Sequence, residues 1–283
     1  MKELKGLNAV VTGASRGIGV YIARALADAG MNLVLAARST APLEELAWEL
    51  SGRGASVSAL ALDIGRSADL DAFVTRAEAE RGPIDVLINN AGIESNGAFG
   101  DFEPADIERM VQIDLVAPML LTQKFLPKML ERGRGHIVNI ASLAGKSATP
   151  YNVPYSAAKG GLIAFTHSLR AELHSRGVSA SVVVPGFVSE AGMFATKKKN
   201  YDVREPAFLG TSRPEAVAEA VLRALREDAV EIIVNPGPMR LMQAMNQLFP
   251  EVGGWVVQRM GVGELFRKVA EGERRRRSDG GEA

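Results

Sequence analysis

Tyr155 and Lys159 stand four residues apart in the stretch Tyr155-Ser156-Ala157-Ala158-Lys159. On a helix, that spacing puts both side chains on one face. A phenol titrates near pH 10 in water, too high to exchange protons freely at neutrality. A fixed ammonium close by favours the phenolate and lowers that value. Ser142 comes at the end of an apolar run, Gly135-His136-Ile137-Val138-Asn139-Ile140-Ala141, where its hydroxyl could hydrogen-bond a substrate oxygen. Together the three would supply a proton donor, its electrostatic tuner and an oxygen-orienting group. Tyr-x-x-x-Lys alone is common and usually means a surface pair. The elements around it decide the reading.

Those elements alternate strand and helix from the start, the pattern of a parallel sheet covered on both faces. Leu7-Asn8-Ala9-Val10-Val11-Thr12 reads as a strand. It runs into Gly13-Ala14-Ser15-Arg16-Gly17-Ile18-Gly19 and a periodic helix (Val20, Ile22, Ala23, Leu26, Ala27) closed by Gly30. Asn32–Ala37 is a second strand. A glycine turn between a buried strand and a helix lets backbone approach a pyrophosphate at the helix N-terminus, although such a turn can also be a simple tight connection. The second strand ends without the acid that would hydrogen-bond adenosine ribose hydroxyls. It has Arg38, with Arg16 in the turn nearby. Two guanidinium groups suit a 2′-phosphate, which favours NADP over NAD; the alternative is an arginine in solvent at a strand end.

Further along, Val57–Ile64 reads as a third strand, carrying Asp63 at its carboxyl end, where it could meet a ligand or cap the next turn. Ser67 is placed to cap a helix running to Arg81. Ile84–Ile88 is a fourth strand, followed by Asn89-Asn90-Ala91-Gly92. Pro104 opens a long helix through Met129, in which Pro118 and Pro127 must disturb the path. The helix carrying Tyr155 continues to Gly177, and Val178–Val184 is a sixth strand. A loop-rich stretch, 187–211, contains Lys197-Lys198-Lys199 and has the length of a lid. A helix starts near Ser212, and 231–237 is a last strand.

Composition sets the outer limits. The chain has 283 residues, 47% hydrophobic and 23% charged, which is ample for one large core. Lysine plus arginine (33) balance aspartate plus glutamate (33), so no global charge draws it to nucleic acid. It has no cysteine, which excludes disulfides, thiolate chemistry and cysteine-based zinc sites; no metal site is expected. The N-terminus lacks a signal-peptide core, and no apolar run approaches transmembrane length. A soluble cytoplasmic protein is the expectation.

Across roughly residues 4–237 the sequence resembles the short-chain dehydrogenase/reductase family. The resemblance rests on Thr12–Gly19, Asn89-Asn90-Ala91-Gly92, Ser142, Tyr155-Ser156-Ala157-Ala158-Lys159 and Pro185-Gly186, in that order. It implies a doubly wound (Rossmann) α/β fold, a mostly parallel sheet of about seven strands. It also implies hydride transfer between NADP(H) and a carbonyl or secondary alcohol, with NAD as the less favoured cofactor. Tyr155 would be the general acid/base and would also contact the cofactor. Lys159 would lower its pKa and hold the nicotinamide ribose, and Ser142 would orient the substrate oxygen. Gly13, Ser15, Arg16, Gly17, Ile18 and Gly19 would surround the pyrophosphate end, and Arg38 would take the 2′-phosphate. Asp63 and Ile64 would meet the adenine, Asn90 the ribose region and the Val188 backbone the carboxamide. Family members commonly pair through long helices, which implies a homodimer or homotetramer. A catalytically quiet NADP-binding sensor or scaffold is the alternative, and intact Ser142, Tyr155 and Lys159 argue against it.

Two departures stand out. In Val111-Gln112-Ile113-Asp114-Leu115, Asp114 occupies the place of the family's usual asparagine in the proton relay. If only its backbone carbonyl serves the relay, aspartate substitutes with little loss; if the side chain matters, a carboxylate near Lys159 would favour the ammonium but oppose the phenolate. Ser189-Glu190 follows Val188 where a threonine is frequent. After residue 237 an extension, 238–283, carries Leu241, Met242, Met245, Leu248 and Phe249 at helical spacing, then Trp255, Val256, Val257, Met260, Leu265 and Phe266, and ends in Arg274–Arg277 and a polar tail. It could pack on the same subunit, cover the pocket or meet another subunit; contact with a membrane surface ranks below these. With Phe187, Met193, Phe194 and Phe208, it points to a hydrophobic substrate.

Overall fold

In the computed structural model, the described residues are 1, 3–147, 149–206, 209–237, 239–249, 251, 259 and 261–278. Phe208, Trp255, Val256, Val257 and Met260 lie outside them. Among the described residues seven strands form one parallel sheet: β1 (Asn8–Thr12), β2 (Asn32–Ala37), β3 (Val57–Ala61), β4 (Val86–Asn89), β5 (Gly135–Ile140), β6 (Val178–Pro185) and β7 (Glu231–Val234). Their order is 3-2-1-4-5-6-7, so the chain reverses its direction of travel between β1 and β4. A doubly wound sheet opens a crevice at that switch point, beyond the carboxyl ends of the strands. β4 and β5 are buried along their whole length, as strands covered on both faces must be.

Helices α1 (Ile18–Asp28), α2 (Thr40–Gly52) and α3 (Leu70–Arg81) return the chain between the first strands. In α1 the buried residues Gly19, Ile22, Ala23 and Leu26 recur at the three- and four-residue spacing of one face. β3 stops at Ala61, three residues before the expected end. Leu62 to Ile64 instead form the turn at the strand's tip, where Asp63 Oδ1 accepts a hydrogen bond from the Gly65 N–H at 3.1 Å. Ser67 does not cap α3. It begins a single 3₁₀ turn, Ser67–Asp69, and its hydroxyl accepts from Gln112 Nε2 at 3.0 Å.

The long helix expected from Pro104 is broken into α4 (Pro104–Val111), a π turn (Gln112–Val116) and α5 (Ala117–Glu131). Pro118 supplies the reason. It has no N–H for the carbonyl of Asp114, four residues back, so the α ladder cannot close there. The winding widens instead, with the Ala117 N–H bonded to the Gln112 carbonyl, five residues back. That wider turn carries Asp114 into the interior.

Helix α6 (Val153–Glu172) holds Tyr155 and Lys159 and ends five residues before Gly177. The 187–211 stretch is not all loop: it contains α7 (Met193–Tyr201) and joins Ser212 through a bridge at Val188. After α8 (Pro214–Glu227), β7 stops at Val234 rather than residue 237. Then come α9 (Met239–Leu248) and α10 (Val262–Ser278). On α9, Leu241, Met245 and Leu248 are exposed. On α10, Val262, Leu265, Phe266 and Val269 are buried in one cluster with Phe194 and Val203 of the lid stretch.

Candidate active site

The crevice at the switch point is a cavity of about 910 Å³. Its floor is tied together by amides and a hydroxyl. Thr12 Oγ1 accepts from the backbone N–H of Asn90 at 3.0 Å and of Ala91 at 3.1 Å, and Asn90 Nδ2 donates to the Thr12 carbonyl at 2.9 Å. Asn90 thus locks the end of β4 to β1, directly under the glycine turn.

That turn has the shape of an anion cradle. Gly13 and Gly17 sit at φ 68° and 62°, in the left-handed region that glycine tolerates. A Cβ on Gly19 would lie 2.2 Å from the Gly13 carbonyl oxygen, so the helix start can press against the turn only as glycine. Ser15, Arg16, Ile18 and Arg38 line the same end of the cavity, with Asp63 and Ile64 at its edge. Arg16 and Arg38 are both exposed, and neither has a polar partner among the described residues. Two free guanidinium groups at the end of β2 and in the glycine turn fit a phosphate on an adenosine ribose. Val188 is buried beside this route. Its bridge is made by the neighbouring residues, Ser212 N to the Phe187 carbonyl (2.8 Å) and Ser189 N to the Ser212 carbonyl (3.1 Å), which leaves Val188's own N–H and C=O outside it.

At the other end Ser142, Tyr155 and Lys159 come together. Ser142 leaves β5 in extended backbone and starts a 3₁₀ turn, its Oγ accepting from the Ala144 N–H at 3.2 Å. Lys159 is 3% exposed. Its Nζ donates to the Ile140 carbonyl at 3.1 Å and lies 5.7 Å from the centre of the Tyr155 ring. Asp114 is fully buried, and its Oδ1 is 3.1 Å from Lys159 Nζ; Oδ2 accepts from the Ile93 N–H at 3.3 Å.

The electrostatics differ from the simple tuner-and-phenol picture. Burial pushes the Asp114 carboxyl up to about 6, against the pull of Lys159 and of the Ile93 N–H. The Tyr155 hydroxyl is also driven up, well above the ordinary phenol value. Burial is the main cause, followed by the negative charges of Glu94 and Asp114, with only the Ser142 hydrogen bond acting the other way. The expected lowering by Lys159 is therefore absent in the protein alone. Lys159 faces the Asp114 carboxyl at 3.1 Å, which adds to the larger effects of burial and of Glu94.

The cavity also holds residues that motif reading passes over. Glu94 accepts from Asn152 Nδ2 at 2.6 Å and pairs with Lys197 Nζ at 2.5 Å. Lys197 is buried, not part of a solvated lysine run. A signal existed, because Phe194, Lys197 and Tyr201 recur at three and four residues, the spacing of one helix face. From the extension, Met242, Met245, Val262, Phe266 and Glu273 reach the same cavity.

Comparison with known proteins agrees with this geometry. Residues 7–202 match the family model for short chain dehydrogenases. The chain is 42% identical over 276 residues to a ketoacyl reductase, HetN, of Nostoc, covering 96% of this chain and 95% of the relative. A metagenomic short-chain oxidoreductase solved in complex with NADP superposes with a TM-score of 0.71 at 35% identity, over 83% of this chain and 100% of that one. A variant of actinorhodin polyketide ketoreductase with NADPH gives 0.75 at 32% identity, over 83% and 97%. Sheet order, glycine cradle and the meeting of Ser142, Tyr155 and Lys159 thus coincide with a match along nearly the whole sequence, and the chain belongs to the short-chain dehydrogenase family of oxidoreductases.

Proposed function

We propose that the protein is an NADPH-dependent reductase of a ketone on a predominantly apolar small molecule, of the ketoacyl-reductase kind. The observation that carries this reading is one cavity with two arginines, unpaired among the described residues, at its glycine-turn end and Ser142, Tyr155 and Lys159 at the other. Arg16 and Arg38 would hold the 2′-phosphate, and the turn from Gly13 to Gly19, with Ser15, Gly17 and Ile18, the pyrophosphate. Asp63 and Ile64 would meet the adenine, Asn90 and Lys159 the ribose side and the Val188 backbone the carboxamide. When bound, the reduced nicotinamide supplies the hydride.

The chain's own residues handle the oxygen. Ser142 would donate a hydrogen bond to the ketone, and Tyr155 would donate its proton as negative charge develops there. The resulting phenolate is stabilised by the Lys159 ammonium. Asp114 holds that ammonium in place at 3.1 Å while opposing the phenolate. Burial keeps Tyr155 protonated through neutral pH, so the proton is in place when charge develops on the ketone oxygen.

Two tests follow. In parallel fluorescence titrations NADPH will bind more tightly than NADH, and Arg38→Ala will weaken NADPH by about 10- to 100-fold, the scale of one or two charged hydrogen bonds. NADH binding will stay unchanged. Equal loss for both cofactors would remove Arg38 as the phosphate ligand. In Asp114→Asn the alkaline limb of the kcat/KM profile for ketone reduction will move to lower pH by about one unit or more, because a charge opposing the phenolate is gone. An unmoved limb would mean that Asp114 has no influence on Tyr155.

A further inference from the structure

The cavity-facing residues of α10 are Val262, Phe266, Glu273, Arg276 and Arg277. Their spacing of four, seven, three and one places them along one face of the helix, so the helix lies across the substrate end rather than touching it at one point. The face changes character along its length. Its first half is apolar: Val262 and Phe266 are 8% and 6% exposed. Phe266 stands 6.3 Å from the Phe187 ring, which is itself 4.4 Å from Phe194. Its second half is polar and fastened to both sides of the crevice.

On one side, Glu273 Oε2 accepts from the Asn96 N–H at 2.8 Å and from the Ser95 hydroxyl at 3.1 Å, just beyond β4. Arg277 pairs with Asp106 of α4 at 3.0 Å and donates to Ser95 Oγ at 2.7 Å, and Arg274 lies 3.5 Å from Asp101. On the other side, the backbone at Gly272 seats on Tyr201 of α7, so closely that a Cβ would fall 2.4 Å from the ring. Arg276 stacks on the same ring at 5.2 Å. Lys197 of α7 reaches Glu94 beneath and lies 5.6 Å from the Phe266 ring above.

We infer that α10 is a fixed wall of the substrate site supplied by the same chain, anchored through Glu273, Arg274 and Arg277, with Phe266 and Val262 as the residues that set how long and how bulky an apolar group beside the ketone can be. This rests on the reductase reading above and names its substrate class: a ketone with an extended apolar arm. A loosely hung extension would need no glycine at the Tyr201 contact and no half-buried Glu273 holding the β4 loop. Phe266 is the discriminating position because it belongs at once to the cavity lining and to the Phe187–Phe194 cluster. Its ring can therefore neither swing out nor be replaced by a neighbour without opening the lid.

The test uses the full chain and two neutral ketones, 2-octanone and 2-dodecanone. Each is titrated calorimetrically without cofactor and then assayed by NADPH consumption. Phe266→Ala is expected to raise affinity and kcat/KM for the longer ketone relative to the shorter by about tenfold, and Phe266→Trp to shift the same ratio the other way, since a few methylenes in an apolar pocket are worth that much. Unchanged NADPH affinity certifies that both variants are folded. A ratio that stays fixed in both variants, or wild-type protein that binds neither ketone, overturns the inference. Ketone binding that shifts as expected with no NADPH turnover sustains the wall and defeats the reductase reading. Turnover with an unshifted ratio does the reverse.

Discussion

Replacement of Tyr155 by phenylalanine will lower kcat/KM for ketone reduction by on the order of 10³-fold, the scale of losing a positioned general acid. It will leave NADPH affinity nearly unchanged. The side chain is buried, its ring packs with Phe102 and Met110, and phenylalanine keeps that packing while removing only the hydroxyl. The loss will therefore appear in kcat, as expected for a group that acts only in the transition state. Turnover within tenfold of wild type would show that another group delivers the proton.

How well the sequence exposed this site depended on where each residue's neighbours lie along the chain. Tyr155 and Lys159 were legible because four residues on a helix fix their relation whatever the tertiary structure. The glycine cradle was legible because a strand, a turn and a helix in succession leave one local arrangement. Asp63 carried two readings, and the geometry accounts for the local one, an acceptor for the Gly65 N–H; its place at the cavity edge leaves the other to experiment. Strand ends were harder. Leu62 to Ile64 keep the apolar pattern of β3, yet β2 ends at Ala37, whose carbonyl takes the Leu62 N–H at 3.0 Å, and leaves nothing beyond it to pair with Asp63 and Ile64. The direction of the Tyr155 shift was out of reach, because it depends on Asp114, Glu94 and enclosure together, and burial is not encoded in spacing. Lys197 was hidden in a run of three lysines whose composition suggests solvent. The wall formed by α10 was least visible, since Glu273 meets its partners at Ser95 and Asn96 across nearly 180 positions of chain. Leu265 and Phe266 marked an apolar segment there without saying what it covers.

The largest effect on stability is expected at Lys159. Lys159→Met replaces the ammonium by an apolar group of similar length and leaves the fully buried Asp114 without its cation. In the intact protein Asp114 titrates at about 6 against an ordinary 3.8. Its folded form binds the proton more tightly than the unfolded chain does, so its contribution is most favourable in acid. About 3 kcal/mol is lost as pH rises through that window. Without Lys159 the carboxyl will remain protonated to higher pH, and the loss will continue to roughly 6 kcal/mol at pH 8. The variant should therefore be less stable than wild type by about 3 kcal/mol at pH 8 and by under about 1 kcal/mol at pH 5. Urea unfolding at the two pH values reads this directly. Combining it with Asp114→Asn removes the charge that cannot be compensated, so the double variant should regain most of the stability lost at pH 8. It should not regain turnover, because the phenolate of Tyr155 would still lack its ammonium. Recovery of both would reduce Lys159 to a counter-ion for Asp114, whereas equal destabilisation at pH 5 and pH 8 would mean that Asp114 has found a second cation.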